Sequence, residues 1–352
     1  MQNIKNQILK PFLLLLIGIF IHSDIPYCQV YHSMMHDGLE RSYYLSYPEG
    51  LNEHCPLIIN MHGFGGSGLS QWYFSNLDEY AIPAGVAVVY PNGLLSSWNV
   101  GTFWDINPYN DINFISSLID SVSNEYDIDL NRIYATGMSN GGYMAYELAC
   151  ELSHKITAFG SVTGNFMLNN NQVCDNLREV PIIHFHGTSD GVVDYYPPSF
   201  DGSLTPMESF EYWSEVNSFY DLQIDTLLGL GNQLSAHRFR YSRAGTDVQL
   251  VHYKIINGGH DWFGSPYEAP SVVNSSELLV EYFLRYKLDS LPCLEPNGDL
   301  NLDGQVNISD YILTLTYIIQ DNETALNQYC IDMDYNGSLD IADLIMVIEL
   351  AM

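Results

Sequence analysis

Ser139 sits at the centre of Gly137-Met138-Ser139-Asn140-Gly141, a Gly-x-Ser-x-Gly pentapeptide. Before it runs Ile133-Tyr134-Ala135-Thr136, short, β-prone and uncharged. After it, Met144, Leu148 and Leu152 recur at helical spacing, with Ala145 and Ala149 as a parallel row. The pattern predicts a strand that turns sharply into a helix, a turn whose flanking positions only glycine fits. Such a turn lifts a serine hydroxyl above a sheet edge, and the first helical amides face any negative charge formed beside it. The chemistry this suits is attack on a carbonyl carbon through a covalent intermediate, which needs a base, an acid to orient the base, and donors for an oxyanion.

Candidates for these roles follow in the order serine, acid, histidine. Val180-Pro181-Ile182-Ile183-His184-Phe185 reads as a buried strand that leads into His186-Gly187-Thr188-Ser189-Asp190. An aspartate just past a strand end can fix an imidazole, so Asp190 is the expected acid, with Asp194 its competitor four residues on. Val248 to Ile256 alternates as a later strand and breaks at Asn257-Gly258-Gly259, which delivers His260 as the base. His184 and His186 read as packing or hydrogen-bonding residues. Oxyanion donors are expected from the amide of Asn140 and from the loop His62-Gly63-Phe64-Gly65-Gly66-Ser67-Gly68, with Phe64 the leading candidate. The glycine spacing of that loop fits neither a dinucleotide fingerprint nor a P-loop, and no lysine follows.

A second chemistry appears near the C-terminus. Asp299-Leu300-Asn301-Leu302-Asp303-Gly304-Gln305-Val306-Asn307-Ile308-Ser309-Asp310 puts oxygen-bearing side chains at positions 1, 3, 5, 9 and 12 and glycine at 6. Asp332-Met333-Asp334-Tyr335-Asn336-Gly337-Ser338-Leu339-Asp340-Ile341-Ala342-Asp343 repeats the pattern. Calcium takes six to eight hard oxygens, and glycine at position 6 allows the turn around the ion. The expected ligands are Asp299, Asn301, Asp303, the Gln305 carbonyl and Asp310, and then Asp332, Asp334, Asn336, the Ser338 carbonyl and Asp343. An apolar helix follows each loop, Tyr311 to Ile319 and Leu344 to Leu350. So small a module cannot bury enough core alone, which makes the two calcium ions structural. No cofactor is expected for catalysis.

The elements that must position the serine alternate strand with helix. Ile115, Leu118, Ile119 and Val122 mark a crossing helix, and Asn274 with Glu277 a capping box for a final one. The fold class expected is α/β, with a mainly parallel sheet and the site at the strands' C-terminal ends, plus a small all-α module. Trp98, Trp104 and Trp262 lie on loops expected to rim the site, with Trp98 and Trp262 as substrate contacts. Tyr195 to Thr205, carrying Pro197 and Pro198, is the expected pocket-shaping insertion.

Composition sets the address. Lys5 and Lys10 precede an apolar run from Phe12 to Ile21, too short to span a bilayer and placed like a signal peptide's hydrophobic region. The expected divisions are a signal peptide over 1–28, a catalytic domain over 29–287, a linker over 288–296 and a calcium module over 297–352. In an oxidising compartment Cys150 can pair with Cys174 and Cys293 with Cys330, leaving Cys55 free. The formal charge of −30, with no Lys or Arg after residue 287, argues against nucleic acid or anionic membrane as partners.

Taken jointly, several stretches resemble the secreted polyhydroxybutyrate depolymerase and feruloyl esterase group of α/β-hydrolases. They are Gly38-Leu39-Glu40-Arg41-Ser42-Tyr43, Met61-His62-Gly63, Tyr90-Pro91-Asn92-Gly93 with Trp98-Asn99, Asn110-Asp111-Ile112-Asn113-Phe114-Ile115 and Arg132-Ile133-Tyr134 running into the serine turn. His186-Gly187-Thr188-Ser189-Asp190 and Gly258-Gly259-His260-Asp261-Trp262 complete the set. The resemblance implies ester hydrolysis by a Ser–Asp–His triad outside the cell. Phe64 stands where many members carry cysteine, and Asp194-Tyr195 where a Val-Pro-Tyr type sequence is usual. The duplicated loop–helix is similar to a dockerin module, which implies docking to a cohesin-bearing scaffold protein. Such modules accompany polysaccharide-degrading enzymes, so the expected substrates are feruloyl or acetyl esters on plant cell-wall polysaccharide. Polyhydroxybutyrate oligomers are the alternative substrate, and a catalytically silent binding subunit is the alternative class.

Overall fold

The computed structural model describes residues 27–50, 54–168, 174, 178–288, 291, 298–300, 305–320, 331–334 and 339–351. Residues 1–26 of the expected signal peptide, most of the linker, and Asn301, Asp303, Asn336, Ser338, Cys293 and Cys330 lie outside the described residues.

Ten strands form one sheet: β1 Tyr27–His36, β2 Leu39–Pro48, β3 Cys55–Met61, β4 Ala87–Pro91, β5 Ile128–Met138, β6 Ala158–Val162, β7 Ile182–Gly187, β8 Asp221–Leu227, β9 Ala236–Ser242 and β10 Leu250–Ile255. Their spatial order is β1-β2-β4-β3-β5-β6-β7-β10-β9-β8. The six strands from β4 to β10 in that order run parallel, and antiparallel hairpins, β1–β2 and β8–β9, close the two edges. β3, β4, β6 and β7 are buried along their whole length, which is why they read as unbroken apolar runs rather than alternating ones.

The helices that cover the sheet are α1 Gly68–Ser75, α2 Asp78–Ala81, α3 Asp111–Glu125, α4 Asn140–Glu151, α5 Pro206–Val216 and α6 Ser275–Phe283. α3 buries the expected row Ile115, Leu118, Ile119 and Val122. At the start of α6 the Asn274 side chain accepts from the Glu277 amide, as the capping pattern requires. Cys150 at the end of α4 is disulfide-bonded to Cys174, while Cys55 is a buried free thiol that burial pushes up to about 11. The parallel strands all deliver their C-terminal ends to one edge, so residues after β3, β5, β7 and β10 meet there.

In the C-terminal segment α7 Ile308–Gln320 packs on α8 Ile341–Ala351 around Leu300, Ile331 and Val347. Both helices start in the same way. The Asn307 side chain accepts from the Ser309 amide while the Asn307 amide donates to Asp310 Oδ2, each at 2.9 Å. In the second repeat Asp340 accepts from the Ala342 amide at 2.7 Å and donates to Asp343 Oδ2 at 2.9 Å. No helix of the described residues is long and apolar enough to cross a membrane.

Candidate active site

Ser139 links β5 to α4 with φ 53° and ψ −120°, a conformation that costs a residue with a side chain about 1–3 kcal/mol. The glycines beside it are required by space. A Cβ on Gly137 would lie 2.4 Å from the Gly141 carbonyl oxygen, and one on Gly141 would lie 2.3 Å from that of Met61. The turn is held by the Ser139 amide, which donates to the Val162 carbonyl at the end of β6 at 2.8 Å.

The loops after β7 and β10 are zipped together by three bonds: Thr188 N–H to the Ile255 carbonyl, Ser189 N–H to the Gly258 carbonyl, and Asn257 N–H to Thr188 Oγ1. Gly187 and Gly258 make that contact possible, since a Cβ on Gly187 would sit 2.2 Å from the Gly258 oxygen. The result brings His260 Nδ1 to 2.8 Å from Asp190 Oδ2, with the carboxylate fully buried and the imidazole partly exposed. Asp190 Oδ1 accepts from the amides of Val192 and Val193 at 2.8 and 2.9 Å. Burial disfavours the Asp190 anion, but hydrogen bonds from His186 and His260 outweigh it and hold the carboxyl well below the usual carboxylate range. Asp194 turns elsewhere: its Oδ2 accepts from the Phe200 amide at 2.7 Å and its carbonyl from Asn165, so it organises the 195–205 insertion. Among the described residues, Ser139 Oγ and His260 Nε2 make no hydrogen bond.

Asn140 is the first residue of α4, so its amide is one of the helix's orphan donors. Its side chain clamps the Trp98 backbone, accepting from the amide at 2.7 Å and donating to the carbonyl at 3.0 Å. The second loop approaches closely: a Cβ on Gly63 would lie 3.4 Å from that of Ser139. His62 shapes it, with Nδ1–H donating to the Gly63 carbonyl at 2.7 Å and Nε2 accepting from Gly93 at 3.0 Å. Burial pushes that imidazole down to about 4, so it stays neutral. The amide of Phe64 has no hydrogen-bond partner among the described residues. The arrangement therefore offers a nucleophile, an imidazole with its acid, and two free amides from different loops.

Residues 109–199 match the family model described as phospholipase/carboxylesterase. The chain is 30% identical over 263 residues to the protein NocK of Nocardia uniformis subsp. tsuyamanensis, covering 68% of this chain and 76% of NocK. The chain belongs to the phospholipase/carboxylesterase family of α/β-hydrolases. It is also 32% identical over 225 residues to the bifunctional acetylxylan esterase/xylanase XynS20E of Neocallimastix patriciarum, covering 63% of this chain and 31% of that protein. Feruloyl esterase B of Piromyces equi is 29% identical over 198 residues, 50% of this chain and 35% of that protein. The chain spans about a third of the length of these last two relatives. Among solved structures, the acetyl xylan esterase from Aspergillus awamori superposes with a TM-score of 0.51 at 14% identity, over 72% of this chain and 98% of that one, a likeness of fold.

In this family member Trp98 and Trp262 do not contact substrate as the sequence led us to expect. Both are fully buried. Trp98 Nε1 donates to the His62 carbonyl at 2.9 Å and Trp262 Nε1 to Ser276 Oγ at 2.8 Å, so they brace the oxyanion and histidine loops from below. The aromatic groups at the surface are others. Phe64, Phe103 and Phe200 are exposed, with Phe103 edge-on to Phe200, and Trp104 lies edge-on to both Phe64 and Tyr143. Asp201 ties this wall together, accepting from Tyr143 at 2.8 Å and Trp104 at 3.2 Å. Trp104 and the 195–205 insertion were each visible in sequence, but the Trp104–Asp201 bond that joins them across 97 residues was not.

Of the expected metal ligands, Asp332, Asp334 and Asp343 bring one carboxylate oxygen each to within 4.8 Å of one another. Asp299 and Asp310 are buried in the first repeat and Gln305 is exposed. Three converging carboxylates in a segment without a single Lys or Arg form a donor set suited to a hard divalent cation.

Proposed function

We propose that this chain is a secreted serine carboxylic-ester hydrolase that removes feruloyl or acetyl substituents from plant cell-wall polysaccharide. The observation that carries the reading is the 2.8 Å bond between His260 and Asp190, joining the loops after β10 and β7 at the sheet edge where β5 ends in the Ser139 turn. Ser139 Oγ attacks the ester carbonyl carbon as His260 Nε2 takes the hydroxyl proton. The oxyanion that forms is stabilised by the amides of Phe64 and Asn140. Collapse expels the alcohol, which receives the proton from His260 and leaves an acyl-serine. Water then attacks that ester as His260 takes its proton, and collapse releases the acid while His260 returns the proton to Ser139 Oγ. Asp190 keeps the proton on Nδ1 and stabilises the imidazolium. The substrate class is supported by the acetylxylan and feruloyl names of the relatives and by the wall of Phe64, Trp104, Phe103 and Phe200, which suits flat rings.

The C-terminal repeats are read as a dockerin-like module holding two structural calcium ions, with Asp332, Asp334 and Asp343 in one site and Asp299 and Asp310 in the other. Docking to a cohesin is supported by apolar side chains that recur at equal positions of the two repeats. Ile308 and Ile341 are exposed, as are Ile312 and Ile345.

The test is initial rates of the wild-type protein and Ser139→Ala on methyl ferulate, acetylated xylan, a short-chain nitrophenyl ester and hydroxybutyrate oligomers. Serine-dependent turnover led by ferulate or acetylxylan supports the reading, and a lead by hydroxybutyrate oligomers replaces its substrate class. Turnover that survives loss of Ser139 overturns it.

A further inference from the structure

Behind Asp190 lies a line of buried polar side chains that the reaction above does not use. His184 and His186, two apart on β7 and therefore on one face, are fully buried. Tyr146 of α4 lies 2.7 Å from His184 Nδ1, and His184 Nε2 lies 3.1 Å from His186 Nδ1. His186 Nε2 lies 3.0 Å from the Val193 carbonyl and 3.2 Å from Asp190 Oδ2.

The proton positions follow from the partners. His186 Nε2 faces two groups that can only accept, so it carries hydrogen; it donates to the Val193 carbonyl and stands 3.2 Å from Asp190 Oδ2. Burial pushes His184 well below its ordinary range and His252 beside it down to about 3, so these imidazoles are neutral. His184 Nε2–H then donates to His186 Nδ1, and His184 Nδ1 accepts from the Tyr146 hydroxyl. Every hydrogen in the line points toward Asp190. Asp190 Oδ2 thus faces two imidazole N–H groups, from His260 and His186, while Oδ1 takes two backbone amides.

We infer that His186 is a positioning residue for the Asp190–His260 pair, fixed in its donor tautomer by the buried line that starts at Tyr146. The inference rests on the Ser139–Asp190–His260 reading. Two consequences make the placement useful. Tyr146 lies two turns along the helix that begins beside Ser139, so the line ties the nucleophile's helix to the acid's carboxylate through β7. The second donor on Oδ2 also draws off part of the carboxylate charge, so His260 can hand its proton to the leaving alcohol instead of being held as imidazolium.

Two substitutions separate the arms of the imidazole. His186→Gln keeps an N–H at the ε position, facing Asp190. His186→Asn keeps an acceptor at the δ position, facing His184, and loses the donor to Asp190. The measurement is kcat and KM against pH on a nitrophenyl ester, with thermal melts, for the full chain and for Asp190→Asn. Tyr143 is charge-coupled to Asp190, Glu268 and Asp261 lie near His260, and Tyr146, Tyr195, His252 and Lys254 surround the histidine line. They are common to all variants, so a shift between variants reports on His186.

The expected result is a kcat about 10-fold lower in His186→Asn with KM little changed, and its acid limb moved to higher pH because the bare carboxylate favours imidazolium. His186→Gln should stay within about 3-fold of wild type. Tyr146→Phe, which deletes one hydroxyl at the far end, should cost less than His186→Asn. Equal losses in Gln and Asn, or no loss in either, overturn the inference, as does a larger loss in Tyr146→Phe. If Asp190→Asn is inactive while His186→Asn matches His186→Gln, only this inference falls. If Asp190→Asn turns over like wild type, the triad reading falls and takes this one with it.

Discussion

In the hydrolase part, Ser139, Asp190 and His260 are carried on strand ends above a core that includes strand segments such as Leu57-Ile58-Ile59 and Val88-Val89. In the C-terminal repeats, Asp332, Asp334 and Asp343 converge over a cluster whose buried apolar members are Leu300, Ile331 and Val347. The first region can keep Ser139 at positive φ and a carboxylate fully buried because packing on every side supplies the compensation. Among its described residues the second has little apolar area to set against its like charges, and at about 25 cal/mol per Å² that core contributes little. Strain is tolerated where the core is large, and on our proposal a cation would offset the crowded carboxylates of the small one.

The sharpest way to break this comparison is to remove one atom from the large-core site. Ser139→Ala should lower kcat by about 10⁴-fold or more while leaving the melting temperature near that of wild type, since the hydroxyl makes no internal hydrogen bond. A variant that melts much earlier would mean that the elbow is held by its serine rather than by its surroundings. Asp190→Asn should follow, with a loss of about 10³–10⁴-fold, because a carboxylate that takes two amides and an imidazole is replaced by a group that is half donor. Asp194→Asn, whose oxygen only caps the Phe200 amide, should cost less than about 10-fold. The reverse ranking would exchange the two aspartates' roles.

Chelation tests the other half. With EDTA the helices α7 and α8 should lose circular-dichroism signal and become protease-sensitive, while ester turnover and the main melting transition hold. Readdition of calcium should restore them and magnesium should not, because magnesium demands a smaller, stricter octahedron. Helices that survive EDTA unchanged would show that the small core suffices and would remove the reason for a metal.

Much of this was legible in the chain. The serine turn, the two glycine breaks and the calcium-type spacings are local signals, because a tight turn or a ligand loop constrains residues next to one another. The α3 stripe was equally readable, whereas Cys150–Cys174 was only a permitted pairing that the fold selects. What failed was burial of single aromatics. Trp98 and Trp262 sit on loops near the site, and sequence places loops at the surface. Their indole N–H groups instead found His62 and Ser276, partners distant in sequence that only the assembled fold brings close. The β1–β2 and β8–β9 hairpins at the sheet edges were missed for a related reason. Strand-to-helix alternation describes the parallel centre and says nothing about what protects its edges.

The smallest effect returns to crowded carboxylates, now inside the hydrolase part. Glu268 stands beside Asp261 near His260, and burial, followed by the hydrogen bond and charge of Asp261, pushes its carboxyl up to about 7. Here one proton relieves the repulsion. The folded state binds that proton more tightly than the unfolded chain does. The contribution to stability is therefore fully present below the unfolded value of 4.5 and is lost as pH rises through about 7. Melting temperatures measured from pH 4.5 to 8 should fall slightly across this window in wild type, beyond any trend shared with Glu268→Gln, and EDTA should leave the difference untouched. A Glu268→Gln curve parallel to that of wild type would mean that solvent screens the pair. An EDTA-sensitive difference would mean that the two regions solve the same electrostatic problem in the same way.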